Sequence, residues 1–244
     1  MKMTVLGCYG PYPAPGGACS GYLLEHDSYP ILLECGNGVL SRLQYYFKPW
    51  ELKAVVASHL HSDHVSDLLI MRYALDIAQN HGVTKESLDV FAPDEPAEER
   101  ERIFFKDAYR LHTIEENSEL ELGPYRFSFL PVKHPLPTLA MKIECGGKTL
   151  VYSGDTEYMP GLVDFAEGAD LFLCEANFQD EDIEASRGNH LSATQAAELA
   201  KQAGVKRLVI SHLPAFRELG RSREEAARIF EGVEMAEEGM VLEI

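Results

Sequence analysis

Residues Ser58-His59-Leu60-His61-Ser62-Asp63-His64 form an H-x-H-x-D-H pattern directly after the apolar run VVAS. Side chains two apart in an extended segment point to the same side, so His59 and His61 face together. Asp63 and His64 then turn into the segment that follows. Four ligand-type side chains thus converge on one strand-to-helix turn. Imidazole with carboxylate is a donor set for zinc, and also for Mn²⁺ or Fe²⁺. The plainer use of Asp63, as a helix cap, leaves the run of three histidines unexplained.

Further donors stand at other strand ends: His134 after FSFLPVK, Asp155 after LVYSG and His212 after LVIS. Singly, His134 or His212 would pass for an ordinary half-buried histidine. Beside the H-x-H-x-D-H turn they reach the roughly six side chains of a two-metal site, with a carboxylate able to bridge the cations. No Ser or Cys stands beside a base in a way that suggests covalent catalysis, and Ser62 reads as a small spacer.

These residues need strands to carry them. Apolar segments at 2–8, 20–26, 30–35 and 54–58 read as strands, as do 88–92, 125–133, 138–145, 148–153, 170–175, 206–211 and 239–244. Gly146-Gly147 turns the hairpin between 138–145 and 148–153. Helical spacing or capping marks 40–47, 68–78, 95–109, 192–203 and 222–231. The buried strands VVASH, LFLCE and LVISH each end in a chemically competent residue, and in open α/β sheets ligands gather at such carboxyl ends. Residues Gly10–Gly21 form the one long Gly/Pro-rich loop, of a kind that often lines sites.

With 244 residues, 45% hydrophobic and 25% charged, the chain has the composition of a globular protein, and it reads as a single domain over 1–244. Its 22 Lys and Arg against 39 Asp and Glu give a formal charge of −17. That argues against wrapping long nucleic acid, which needs cations to displace counterions, and leaves room for a local phosphate site. No apolar run reaches the roughly 18 residues of a membrane span. The N-terminal MKMTVLGCYG lacks the apolar run of a signal peptide. Five widely spaced cysteines, an odd number, read as reduced thiols. The expected location is the cytoplasm, with no membrane partner.

On its metal-type residues the chain resembles the metallo-β-lactamase superfamily, and within it the ribonuclease Z-like branch that leans towards phosphodiesterases. The resemblance runs over essentially the whole chain. It implies an α/β fold, a four-layer αβ/βα sandwich in which helices flank two mixed β-sheets and the metal site lies at the edge between them. It implies that His59, His61 and His134 bind one metal, that Asp63, His64 and His212 bind a second, and that Asp155 bridges them. Ile31–Leu40 (ILLECGNGVL) resembles the family's D-C-G-E-G segment, with Glu34 where Asp is usual and Asn37 where Glu is usual. Asp170–Phe178 (DLFLCEANF) and His190–Gly204 (HLSATQAAELAKQAG) resemble ribonuclease Z segments that carry a Glu and a His. Glu175 and His190 are then that pair. A carboxylate bonded to an imidazole orients it and favours its protonated form, which can neutralise a phosphoryl oxygen or protonate a leaving alkoxide.

Two departures from the family pattern matter. Ribonuclease Z carries a long Gly-rich arm for tRNA between the segments matching His134 and Asp155. Here 21 positions separate those residues, filled by one hairpin. Asp67 stands where a Gly is common, and reads as facing solvent rather than backing Asp63 and His64.

The implied activity is that of a dinuclear metal-dependent hydrolase. Two divalent cations, zinc first with Mn or Fe as alternatives, would share a hydroxide of lowered pKa, with Asp63 orienting the nucleophile or taking its proton. Glu175 and His190 favour a phosphodiester: a small nucleotide, a cyclic nucleotide or an RNA end. The alternatives are a carbon ester, thioester or lactone on the same scaffold, tRNA 3′ processing, or a non-catalytic metal-binding protein. Arg217, Arg221 and Arg223 follow His212 closely and could grip a phosphate bidentately or simply face solvent. His26, His81 and His112 read as ordinary. A homodimer is expected from family analogy alone.

Overall fold

In the computed structural model, residues 1–183 and 189–244 are described. The first half of the chain contains β1 (Lys2–Gly7), β2 (Tyr9–Gly10), β3 (Gly21–Glu25), β4 (Ile31–Leu33), α1 (Val39–Leu43), β5 (Ala54–Val56), α2 (Ser62–Val65), α3 (Leu68–Asn80), β6 (Leu88–Ala92), α4 (Ala97–Ile103) and β7 (Tyr109–Thr113). The second contains β8 (Leu120–Leu122), β9 (Tyr125–Val132), β10 (Thr138–Cys145), β11 (Lys148–Tyr152), α5 (Gly161–Phe165), β12 (Leu171–Glu175), α6 (Ala193–Gln202), β13 (Leu208–Ser211), β14 (Leu213–Pro214), α7 (Leu219–Ala227), β15 (Glu234–Met235) and β16 (Val241–Glu243).

Two seven-stranded mixed sheets result, ordered β16-β1-β3-β4-β5-β6-β7 and β15-β13-β12-β11-β10-β9-β8. Alternation along the strands decides how they stack. Tyr22, Leu24, Ile31, Leu33, Ala54 and Val56 point into the core shared with the second sheet. Their neighbours Leu23, Leu32 and Val55 point the other way, into a core closed by Val39 and Leu43 of α1 and by Leu68, Met71 and Leu75 of α3. A strand buried on both faces is apolar throughout, which is why these segments lack polar alternation. On the far side, α6 buries Leu199 together with Ala193, Ala196, Ala197 and Ala200, small residues that let the helix approach β12 and β13. Helices, sheet, sheet and helices form the four layers expected.

The boundaries differ in places. The charged segment 95–109 is helical only over Ala97–Ile103, and Tyr109 already begins β7. Phe104 has an extended ψ of 131° and Lys106 a φ of 47°, which ends the helix and turns the chain into the sheet edge. The helix expected at 40–47 stops at Leu43, and that expected at 222–231 runs over Leu219–Ala227. β4 stops at Leu33 because Glu34 has a φ of 59°. All five cysteines are free and buried. Among the described residues no helix is long and apolar enough to cross a membrane.

Candidate metal centre

Strands from both sheets deliver the centre. The segment after β5 carries His59, His61, Asp63 and His64. The β9–β10 connection carries His134, β12 ends in Glu175, and Asp155 and His212 follow β11 and β13. Gly154, with a φ of 59°, makes the bend that brings Asp155 inward; a β-carbon there would stand 3.1 Å from the Leu139 carbonyl.

The donors fall into two groups that share an edge. His59 Nε2 and His134 Nε2 each lie 3.0 Å from His61 Nδ1. Ligands at about 2.05 Å around a tetrahedral ion stand roughly 3.3 Å apart, close to this spacing. In the second group, His212 Nε2 is 3.1 Å from Asp63 Oδ2 and 3.4 Å from Asp155 Oδ2. His64 Nε2 is 3.5 and 3.3 Å from the same two oxygens. Asp155 Oδ2 also comes within 3.8 Å of His59 Nε2, so one carboxylate borders both groups. His64 Nδ1 and Nε2, Asp155 Oδ1 and His212 Nδ1 are buried with no hydrogen-bond partner among the described residues. Buried polar atoms are costly without partners. Cations would satisfy the inward-facing ones, so the donor set fits two divalent ions.

Several imidazoles of the cluster are held from behind. Ser58 Oγ is 2.9 Å from His59 Nδ1, and the Asn189 carbonyl accepts from His134 Nδ1 at 3.0 Å. Glu34 is fully buried; its Oε1 accepts from Ser58 N at 3.0 Å and its Oε2 faces His64 Nδ1 at 3.5 Å. Such outer partners fix ring orientation. His190 Nδ1 donates to Glu175 Oε1 at 2.9 Å, while Glu175 also accepts from Thr156 N at 2.6 Å. His190 lies beside the second group, its ring 5.2 Å from that of His212.

Electrostatics separates the imidazoles. Burial, then the neighbouring His64, holds His59 well below the usual histidine range. Burial and His134 lower His61, and burial lowers His134. These three favour the neutral form that ligates metals. Burial would also lower His64, but Asp155, Glu34 and Asp63 outweigh it and raise that imidazole well above its usual range. Burial opposes ionisation of Asp155, yet His212 and His64 hold its carboxyl well below the usual value. For His190, burial is outweighed by the Glu175 charge and hydrogen bond, which push it up to about 9.

Two sequence expectations change. Asp67 does not face solvent: it is buried, and its Oδ2 accepts from Leu40 N at 2.8 Å while its own N–H donates to the Cys35 carbonyl. It ties the H-x-H-x-D-H turn to the start of α1. Arg217 and Arg221 are committed to acids, Arg217 to Glu181 and Asp182, and Arg221 to Glu181 and Glu225. Ion pairs thus occupy two of the three guanidinium groups for which a phosphate grip and a solvent-facing position both stood open. His112 pairs with Asp89 away from the centre, as an ordinary surface histidine would. Ser58 and Asn177 were not singled out by sequence; Ser58 could have been, because it directly precedes the motif.

Residues 29–213 match the family described as "Beta-lactamase superfamily domain". The chain is 35% identical to the probable metallo-hydrolase YhfI of Bacillus subtilis over 244 residues, which is all of both chains. The crystal structure of YhfI superposes with a TM-score of 0.94, covering 99% of this chain and 98% of that one. A ribonuclease Z of Ignicoccus hospitalis is 28% identical, over 94% of this chain and 93% of the relative. A diphosphatase of the PhnP family shares the fold at a TM-score of 0.77 and 17% identity, covering 100% of this chain and 97% of that one. The chain therefore belongs to the β-lactamase superfamily. By family and by the donor set at its centre, it stands with the metallo-hydrolases.

Proposed function

We propose that this protein is a dinuclear metal-dependent phosphodiesterase acting on a compact anionic substrate, such as a small nucleotide, a cyclic nucleotide or an RNA end. The observation that carries this reading is the Glu175–His190 couple at the rim of the second donor group, where His190 Nδ1 lies 2.9 Å from Glu175 Oε1 and the carboxylate favours the imidazolium. An imidazolium suits a phosphoryl oxygen or a leaving alkoxide, and a neutral ester has less need of one.

His59, His61 and His134 would hold one ion and Asp63, His64 and His212 the other, with Asp155 between them. Two divalent ions, zinc first with Mn or Fe as alternatives, would supply a nucleophile of lowered pKa and screen charge on the phosphoryl oxygens. Asp63 would orient that nucleophile or take its proton. With Nδ1 engaged by Glu175, His190 presents its Nε2 proton to the departing oxygen. The hairpin β10–β11 fills the space between His134 and Asp155 in the sequence, without the arm that ribonuclease Z uses for tRNA. That favours a small substrate over a long one, as does the charge of −17.

Hydrolysis of bis(p-nitrophenyl) phosphate by zinc-loaded protein tests the reading. Turnover should fall by about a thousandfold or more in His61→Ala. Good turnover of lactones or thioesters beside none of any phosphodiester would refute it.

A further inference from the structure

We propose that Asn177 is a positioning residue that holds His212 in its ligating pose, acting together with Gly10. Three of the imidazoles at the centre have a hydrogen-bonded polar group behind them, Ser58 for His59, the Asn189 carbonyl for His134 and Glu175 for His190, and the Glu34 carboxylate faces His64 Nδ1 at 3.5 Å. His212 has none among the described residues, since its Nδ1 is buried without a hydrogen-bond partner. The pose of this ring must therefore come from its backbone and its walls.

The backbone is unusual. His212 has a φ of 53°, in the left-handed region that a non-glycine residue occupies at a cost. Buried Asn177 donates both Nδ2 hydrogens across this bend, to the Gly10 carbonyl at 2.7 Å and to the His212 carbonyl at 2.9 Å. Leu213 N donates to the Cys8 carbonyl at 2.7 Å, and β14 pairs in parallel with β2, Leu213 opposite Tyr9 and Pro214 opposite Gly10. The bend is thus fastened on both sides. Gly10 supplies the wall: a β-carbon there would stand 1.9 Å from His212 Nε2, inside the ring. Only glycine lets this loop lie flat against the imidazole. Asn177 lies two residues beyond Glu175, and its own N–H approaches Glu175 Oε2 at 3.4 Å, so one short segment steadies both His190 and His212.

This inference rests on the two-ion reading, and its test separates the two. Asn177→Asp keeps the size but sets a carboxylate against two carbonyl oxygens; Gly10→Ala pushes the ring directly and leaves Asn177 intact. Bound zinc per chain and the rate of zinc release to a chromogenic chelator are measured for the wild type and both variants. Thermal unfolding of the metal-free proteins shows whether each variant folds. Wild type should hold two ions. Each variant should hold one firmly and release the other about 10- to 100-fold faster, the usual effect of disturbing a ligand's supports. Should Asn177→Asp fail to fold, Asn177→Ala, which removes both donors without adding a charge, takes its place in the same readout. Fewer than two ions in wild type would overturn the two-ion reading and the inference with it. Two ions in wild type with unchanged release from either folded variant, or both ions weakened equally in the variants, would overturn the inference alone.

Discussion

Glu175→Gln removes one charge from beside His190 and nearly preserves shape. In the metal-free protein His190 stands at about 9 against an ordinary 6.5, with burial opposing the rise and Glu175, Asp155 and Asp63 producing it. At about 1.4 kcal/mol per unit, the elevation amounts to interactions on the order of 3 kcal/mol. Asp155 and Asp63 remain in the variant, so the fall should be about two units, leaving His190 roughly half protonated at pH 7 instead of about 99%. A pKa raised by folding adds stability that is complete below the unfolded value and disappears as pH rises through the folded one. Metal-free wild type should therefore lose on the order of 3 kcal/mol from this group between pH 6.5 and about 9, and the variant 1 kcal/mol or less. For a chain of this size that narrows the difference in melting temperature by roughly 5 °C across the window. NMR titration of histidine in the metal-free proteins reads the pKa, and calorimetry at several pH values reads the stability. A His190 that titrates at the same pH in both proteins would refute the assignment of its charge to Glu175.

Two further outcomes follow from other contacts. Asp67→Ala strips the partner from Leu40 N and should lower stability by about 1–2 kcal/mol, a melting shift of roughly 2–8 °C, whereas Asp67→Asn, which keeps an acceptor, should lose less; an unchanged melting temperature in the alanine variant would show the contact to be idle. Arg217→Ala should change KM for bis(p-nitrophenyl) phosphate by less than about twofold, because its guanidinium serves Glu181 and Asp182; a rise of tenfold or more would return it to the substrate.

The sequence made the centre legible because metal chemistry restricts residue type. His59, His61, Asp63, His64, His134, Asp155 and His212 come together as their positions at strand ends implied. Strands β6 and β10 ran at the limits their apolar runs suggested. β7 was missed because Tyr109–Thr113 is an edge strand with exposed Arg110 and Thr113, and such a strand lacks the apolar run of a buried one. Asp67 was misread because a lone carboxylate between apolar residues gives no hint that an amide across the fold will need it. Nor did anything in the string EANF reveal that Asn177 spans two carbonyls, since those belong to residues far away in sequence. Residue type announces a ligand, and only tertiary structure announces what holds it.

Sheet membership gives the centre one more consequence. His59, His61, Asp63 and His64 follow a strand of the first sheet, while His134, Asp155 and His212 follow strands of the second. Bound ions would therefore rivet one half of the sandwich to the other. A ligand that binds only the native state adds about 2.7 kcal/mol at a hundredfold excess over its Kd. Starvation for the metal would then silence the enzyme and also shorten its lifetime, because the loosened halves would open more often to proteases. The abundance of such a protein would follow the supply of free metal as well as the rate of its synthesis.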